Sequence, residues 1–419
     1  KAGVAREYDL ALRHSSVACL LYHTERKQFL VVRQFRPAIF VSRVAKLEEN
    51  IGKKLSDIDW PKYDREIGCT RELCAGLIDK DIPLIHIARE EIEEECGYSV
   101  KEENIMHIAS FIVDMDESGQ PQHLFYAQID ESMKCGEGGG LADHGEFIYK
   151  IWMNEAEALS YLSSPDPSSP PAALYALLWW FDRKERGIAH THKDEQIDWP
   201  PSSINWPVAL SPRLENIRFT PNTSSNRYHP IRLLYNINGI SRTWDIATRQ
   251  DSASVLIYNR DRRQLIMNQR FRPAILIGRT RNLPENKGKD LMSLDYSTRP
   301  LEWMNSIELC SGHLLNRNET PIACAVRNVA TKAGYRIDEK SLRPLTCAVM
   351  GVSQAGDKQN IYYVEVGDKD AIEGFNKFED IEIIPLSREN AACLLRAKLT
   401  PSPPNVLFTI RWFLSNITQ

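Results

Sequence analysis

The sequence predicts an α+β protein made of two copies of one unit, each a mixed β-sheet sandwiched between helices. Three observations predict it. The first is a repeat: ELCAG around Glu72 returns as ELCSG around Glu308, and QFRPAI from Gln34 returns as RFRPAI from Arg270, both 236 residues later. The second is the order of patterns within a copy. Strand-like runs come first (VACLLYH from Val17, QFLVVRQF from Gln28), a helix-like run from Leu84 to Cys96 follows, and further strand patterns lead to a last helix. The third is size, since 419 residues suit two or three ordinary domains.

Taken in chain order, the parallel extends through most of both copies. REYDL from Arg6 matches RTWDI from Arg242, VACLLYH matches SVLIYNR from Ser254, and HLFYAQI from His123 matches NIYYVEV from Asn360. Each copy closes with a double proline and an aromatic-rich stretch, Pro170-Pro171 before LYALLWWF and Pro403-Pro404 before LFTIRWFL. Proline just ahead of such a stretch suits a helix start. Residues 186–208 are polar, Pro-rich and aperiodic, which predicts a linker between domains at 1–185 and 209–419. The second copy opens with an added run, Ile231 to Asn236, then Asn238-Gly239 leading to Trp244. Asn-Gly between two alternating runs is a strong hairpin signal. The first copy starts inside the equivalent of that hairpin, at Arg6, so its leading strand is absent or lies upstream.

Composition narrows the function. Apolar content of 42% and charged content of 26% are those of a soluble globular protein. A net charge of −4 without a Lys/Arg block argues against nucleic acid and against anionic membranes. No apolar run approaches the length of a membrane span. Nine cysteines without CxxC spacing predict buried reduced thiols, hence the cytoplasm. Residue 1 is lysine, so an upstream segment, a removable mitochondrial presequence included, stays open.

Chemistry concentrates between Gly76 and Gly97. On a helix, positions three and four apart share a face, so Glu91, Glu94 and Glu95 converge. Crowded carboxylates repel one another unless a cation sits among them, and an all-oxygen set suits Mg²⁺, with Mn²⁺ as a substitute. The backbone carbonyl of Ala75, on the glycine turn before the helix, is a further candidate ligand. A Glu-rich helix is more often a solvated face. Here Leu84, Ile87, Ala88 and Ile92 make a separate apolar face, and the framing glycines with ELCAG upstream favour the metal. In the second copy, aligned with one inserted residue, the three positions hold Asn328, Thr331 and Lys332. An ammonium there opposes a divalent cation, so this copy is expected to be catalytically degenerate.

The spacing resembles the box of the Nudix hydrolases, G-x5-E-x7-R-E-U-x-E-E-x-G-U, with Glu91, Glu94, Glu95, Gly97 and Tyr98 on its E, E, E, G and U positions. Two positions depart: Ile82 replaces the first Glu and Glu90 replaces the Arg, which pair with each other in the family; Arg89 is a candidate substitute. ELCAG, RQFRPA, the TWD segment and RWFLS near Trp412 look like the UDP-glucose (UDP-sugar) diphosphatase and ADP-ribose pyrophosphatase branch. The resemblance covers nearly the whole chain. It implies two tandem α/β/α sandwich domains arranged as an intramolecular pseudo-dimer, an arrangement compatible with a monomeric chain. It implies hydrolysis of the diphosphate bond of a nucleotide sugar to a nucleoside monophosphate and a sugar 1-phosphate, with metal on Glu91, Glu94, Glu95 and Ala75. Glu91 and Glu95 then carry the catalytic role, and Arg36 touches the phosphates. A general base is expected on the loop 114–120, with Glu117 preferred over Asp114 and Asp116; the plain alternative is an acidic turn. Trp244 is expected to stack on the nucleobase from across the pseudo-dimer, with Tyr8 its counterpart; the plain alternative is core packing. The competing function is an inactive scaffold or nucleotide-sugar-binding protein.

Overall fold

The computed structural model describes residues 8–140, 148–201, 218–220, 229–237, 239–375 and 381–417. Arg6, linker residues 202–208 and Asn238 of the expected turn lie outside these.

In the first half, β1 (Ser16–His23) pairs antiparallel with β2 (Gln28–Phe35). Arg36 then caps α1 (Pro37–Ala45), whose first residue is proline, preset for the helical φ. β3 (Cys69–Glu72) joins β2, and β4 (Cys74–Leu77) joins β1. After α2 (Leu84–Glu91) come β5 (Ile105–Val113) and β6 (Gln120–Ile129), the latter parallel to β1. β7 (Ile148–Asn154) returns to β2, and a capping box between Asn154 and Glu157 starts α3 (Glu155–Leu162). α4 (Pro171–Glu185) begins at the predicted double proline. The sheet order is β3-β2-β1-β6-β5, with β4 also on β1 and β7 also on β2. Every residue of β1 after Ser16 is buried, the mark of a strand covered on both faces.

The second half opens with the predicted hairpin, β8 (His229–Ile237) on β9 (Ile240–Thr248). It continues through β10 (Ser252–Asn259), β11 (Gln264–Phe271), α5 (Pro273–Arg281), β12 (Asn305–Glu308), β13 (Cys310–His313) and α6 (Pro321–Asn328). β14 (Arg343–Val349), β15 (Lys358–Val366), β16 (Ile381–Leu386), α7 (Arg388–Leu394) and α8 (Pro404–Asn416) complete it. Its sheet order, β12-β11-β10-β15-β14 with β13 on β10 and β16 on β11, repeats that of the first.

The predicted helix Leu84–Cys96 is not one α-helix. α2 stops at Glu91, and a π-helical turn, Ile92–Cys96, follows and ends at left-handed Gly97. The wider turn re-aims its side chains: Glu95 and Cys96 become buried while Glu93 and Glu94 stay exposed. α6 is followed by the same device, Val329–Ala333, ending at left-handed Gly334.

The halves interlock. α4 packs on α8, where Arg411 donates to Tyr175 Oη (3.2 Å) and to Asp182 (2.6 Å). Ser168 and Ser169 bridge the sheets, accepting from Arg71 N on β3 (3.2 Å) and Val349 N on β14 (2.9 Å). Pro401 and Ser402 do the converse, accepting from Ile307 N (2.8 Å) and Ile112 N (3.1 Å). Side chains of both halves, Phe29 and Trp179 with Leu256 and Phe413 among them, share one apolar core. Burying each such side chain contributes about 1.5–3 kcal/mol.

Loops are exchanged as well. Gly119, at φ 59°, lies on Ala274 and Ile275 of α5, and Gly356, at φ 62°, lies on Ala38 and Ile39 of α1. A side chain at either glycine would overlap the facing helix backbone and strain its own. Gly119→Ala is expected to lower stability by about 1–3 kcal/mol. Urea unfolding checks it, and an unchanged midpoint would show that the loop is not seated on α5.

Linker residues 186–201 are docked on the body. Arg183 holds the carbonyls of Ala189 (2.8 Å) and His192 (2.7 Å), and Ile197 exchanges backbone hydrogen bonds with Arg396 and Lys398 (2.9 Å each). Gln196 caps a polar chain in which His107 Nε2 and His123 Nδ1 share the Ser110 hydroxyl, each at 2.7 Å. Burial pushes both imidazoles down to about 4, the charge of one adding to the effect on His123. Between pH 6.5 and 4 the unfolded chain therefore binds more protons than the folded one, so stability is full above pH 6.5 and declines as pH falls toward 4. The melting temperature should drop between pH 7 and 5, and less so in a His107→Gln/His123→Gln variant; equal drops would refute the assignment.

Among the described residues no helix is long and apolar enough to cross a membrane.

Candidate active site

The site begins with a buried ion pair. Arg36, at the start of α1, donates Nε and Nη2 to the two oxygens of Glu72 on β3, both at 2.8 Å. The Thr70 hydroxyl adds a third bond at 2.6 Å. Burial pushes the Glu72 carboxyl up, but the Arg36 charge and these donors outweigh it and hold the group ionised, below the usual range. The paired motifs QFRPA and ELCAG are thus two ends of one contact, and the pair fixes where the Arg36 guanidinium can point. Their equal separation in both copies was the signal available in the sequence.

Next to it, β4 offers its backbone to the acidic turn. The Ala75 N–H donates to Glu95 Oε2 at 3.0 Å, and the Glu91 carboxylate lies over Gly76, where any side chain would overlap it. Two of the three predicted carboxylates therefore meet at the Ala75–Gly76 backbone. Glu94, three residues beyond Glu91, has an exposed side chain. Among the described residues no three His, Cys, Asp or Glu side chains stand as a ready metal cluster. The donors that do converge are the carboxylate oxygens of Glu91 and Glu95 against the backbone of β4, a hard oxygen set that fits a divalent cation of the Mg²⁺ type.

The two departures from the box have a structural counterpart. Glu90 pairs with Lys80 at 2.6 Å, and Ile82 packs against the apolar cluster beneath α2. The pair is thus rebuilt with its charges reversed. Arg89 is not the substitute, since it faces Glu102 at 3.4 Å. Lys80, in the acidic IDKDI stretch, carried no motif that singled it out.

The second half arranges the same backbone differently. Arg272 repeats the bidentate pair with Glu308 (2.7 and 2.8 Å), and the carboxyl is held at about 2 because the Arg272 charge outweighs burial. Glu319 and Arg327 form the two-bond pair that the first half lacks (2.7 and 2.9 Å). Where Glu95 meets β4, Lys332 Nζ donates to the Ser311 carbonyl at 2.5 Å. Asn328 Oδ1 and Lys332 Nζ converge on Gly312 as the Glu91 carboxylate does on Gly76.

Trp244 reaches the first half. It packs with Ala38 and Val41 of α1, beside Leu55 and Trp60, and its Nε1 donates to the Ser353 carbonyl at 2.6 Å. It is half-buried. Leu10, near Tyr8, makes the reciprocal contact on the α5 side, in the cluster of Leu276 and Tyr296.

The loop carrying the expected base is engaged by the second half. Asp116 pairs with Arg272, and Glu117, almost fully buried, pairs with Arg249. Asp114 pairs with Arg13. The ion pairs show what the sequence concealed: residues adjacent in an acidic turn answer cations more than 130 positions away.

No family model matches the chain. It is 30% identical over 189 residues, 43% of this chain and 84% of the relative, to uridine diphosphate glucose pyrophosphatase NUDT14 of Mus musculus. The protein of the same name from Bos taurus is 29% identical over 192 residues, 44% of this chain and 86% of the relative. GDP-mannose pyrophosphatase of Cronobacter sakazakii is 30% identical over 145 residues, 34% of this chain and 63% of the relative.

Proposed function

Since the chain belongs to the Nudix hydrolases, in the branch of the nucleotide-sugar pyrophosphatases, we propose that its first half hydrolyses the diphosphate bond of nucleoside diphosphate sugars of the UDP-glucose type. The products are a nucleoside monophosphate and a sugar 1-phosphate. The second half acts as structural partner, the two halves of a tandem duplication taking the places of two subunits in a pseudo-dimer. The observation that carries this reading is the contrast at β4 and β13: Glu91 and Glu95 converge on Ala75–Gly76, whereas Asn328 and Lys332 converge on Ser311–Gly312.

Glu91, Glu94 and Glu95, with the Ala75 carbonyl, would hold Mg²⁺, which when bound supplies charge neutralisation at the diphosphate and a more acidic water. Glu72 holds the Nε–Nη2 edge of Arg36 and so orients the guanidinium, whose opposite edge would meet phosphate oxygens. Glu91 or Glu95 accepts the proton of the attacking water. Glu117, in its ion pair with Arg249, is the other candidate base.

Trp244 of the second half forms the nucleobase side of the pocket over α1. Base–aromatic stacking contributes about 1–3 kcal/mol. Trp244→Ala should therefore raise KM for nucleotide sugars by roughly 5–100-fold with a smaller effect on kcat. An unchanged KM would return Trp244 to plain packing.

The deciding experiment incubates the chain with Mg²⁺ and UDP-glucose, ADP-ribose or GDP-mannose and quantifies monophosphate. Release that stops in EDTA is the expected result. No release from any of the three, with the protein folded, would replace hydrolysis with a nucleotide-sugar-binding role.

A further inference from the structure

The degenerate box of the second half is more than a broken copy, because its polar groups have all shifted toward positive charge. Where the first half has Gln34, Glu91 and Glu95, the second has Arg270, Asn328 and Lys332. Deeper in, Val32 and Asn268 occupy equivalent places, each opposite the ion-paired glutamate of the neighbouring strand, Glu72 or Glu308. Random decay of a cation site needs only the loss of carboxylates. It does not call for two new cations and a buried amide around the same backbone.

These groups are placed to act together. The Lys332 ammonium sits on the Ser311 carbonyl, with Asn328 Oδ1 converging on the same glycine, Gly312. Burial, with the nearby Arg270 charge, pushes Lys332 down to about 8. The Arg270 side chain stands 3.9 Å from Glu308, which is already bound bidentately by Arg272. Arg270 Nε is buried without a hydrogen-bond partner among the described residues, and the fully buried Asn268 amide lies against the Cys310 thiol that Lys332 and Arg270 flank. Two cations close enough for one charge to act on the other, one of them with a buried unpartnered Nε, are the counterpart of crowded carboxylates: both arrangements are relieved by an ion of opposite sign. Lys332 and Arg270 remain partly exposed, so such an ion has a way in.

We propose that the second half binds a phosphate-type oxyanion, such as the diphosphate of a nucleotide, at Lys332 and Arg270 without a divalent metal. A tethered ammonium holds phosphate oxygens as a cation does, but it neither bridges two of them at fixed geometry nor acidifies a water, so the ligand is retained and not cleaved. Arg272 takes no part, since Glu308 and Asp116 neutralise it from both sides. The site would make the second half a sensor for the same chemical class that the first half hydrolyses. It stands independently of that hydrolysis.

The test is calorimetric titration of the full chain with inorganic pyrophosphate in EDTA. Wild type is expected to bind. Lys332→Gln and Arg270→Gln should each weaken binding about tenfold or more, the loss of one charge-assisted contact, while Lys332→Arg retains it. Arg36→Gln, in the first half, should leave the metal-free affinity unchanged. Mg²⁺-dependent hydrolysis by Lys332→Gln should equal wild type, which separates this proposal from the hydrolase reading. No binding by wild type in EDTA overturns the site. So does binding that Arg36→Gln abolishes and Lys332→Gln keeps. Should Lys332→Gln fail to fold, Arg270→Gln against Lys332→Arg decides alone.

Discussion

Glu95→Gln is expected to cut turnover sharply while leaving the fold intact. The substitution keeps the shape and retains an amide oxygen to accept the Ala75 N–H, so the 3.0 Å bond between the turn and β4 survives. What it removes is the negative charge that, in our reading, a divalent cation needs. Outer-sphere partners of metal ligands alone typically account for 10–100-fold in affinity or activity, so loss of a ligand should reduce kcat/KM by about 100-fold or more. Removing a carboxylate from the Glu91, Glu94, Glu95 group also relieves like-charge repulsion, so the melting temperature in EDTA should hold or rise. Steady-state kinetics beside melts with and without Mg²⁺ check both halves of this expectation. Wild-type kcat/KM in the variant would remove the acidic turn from the chemistry. A collapse in stability would make Glu95 a structural acceptor.

Arg272→Ala should be the most damaging single change to stability, at about 3–5 kcal/mol. Arg272 is nearly fully buried and joins Glu308 of its own half to Asp116 of the other. Its removal strands a buried carboxylate, the costly outcome for such a pair, and frees the loop 114–119 from α5. The reciprocal loop 351–356 lacks an acid at the Asp116 position, where Ser353 stands, so Arg36→Ala should be milder. Adding Glu308→Gln to Arg272→Ala should recover part of the loss, because the amide needs no counter-charge. Urea unfolding of the three proteins decides. If Arg36→Ala proves as severe as Arg272→Ala, the inter-half ion pair contributes nothing.

Much of this was legible in the sequence, and what was not has a common cause. The repeat, the strand-first order, the proline-started terminal helices and the added hairpin follow from local patterns, and local patterns survive into the fold. Glu91 and Glu95 also converge as the helical spacing suggests, although the π turn, which that spacing does not show, sets which of Glu94 and Glu95 turns inward. The π turn was hidden: it changes neither composition nor apolar spacing, and only the burial of Glu95 and Cys96 reveals it. Lys80–Glu90 was missed because a charge-reversed pair has no motif. Glu117 is the general base expected from the sequence; its ion pair with Arg249 was not legible there, because Arg249 lies in the other copy and contacts between copies leave no periodic trace.

The bridging segments also have a bearing on how the protein is made. β5 completes its edge with Thr400 and Ser402, and α4 covers its apolar face with α8. On a ribosome these partners emerge about 220 residues after α4, which at 5–20 residues per second is roughly 10–45 s. For that interval the first half is a nascent body with an open strand edge and an α4 whose α8-facing side, Tyr175 included, is uncovered. Such surfaces attract chaperones or wrong partners. The yield of correctly assembled chain is thus set by how well the early half waits, a kinetic constraint that the finished molecule no longer displays.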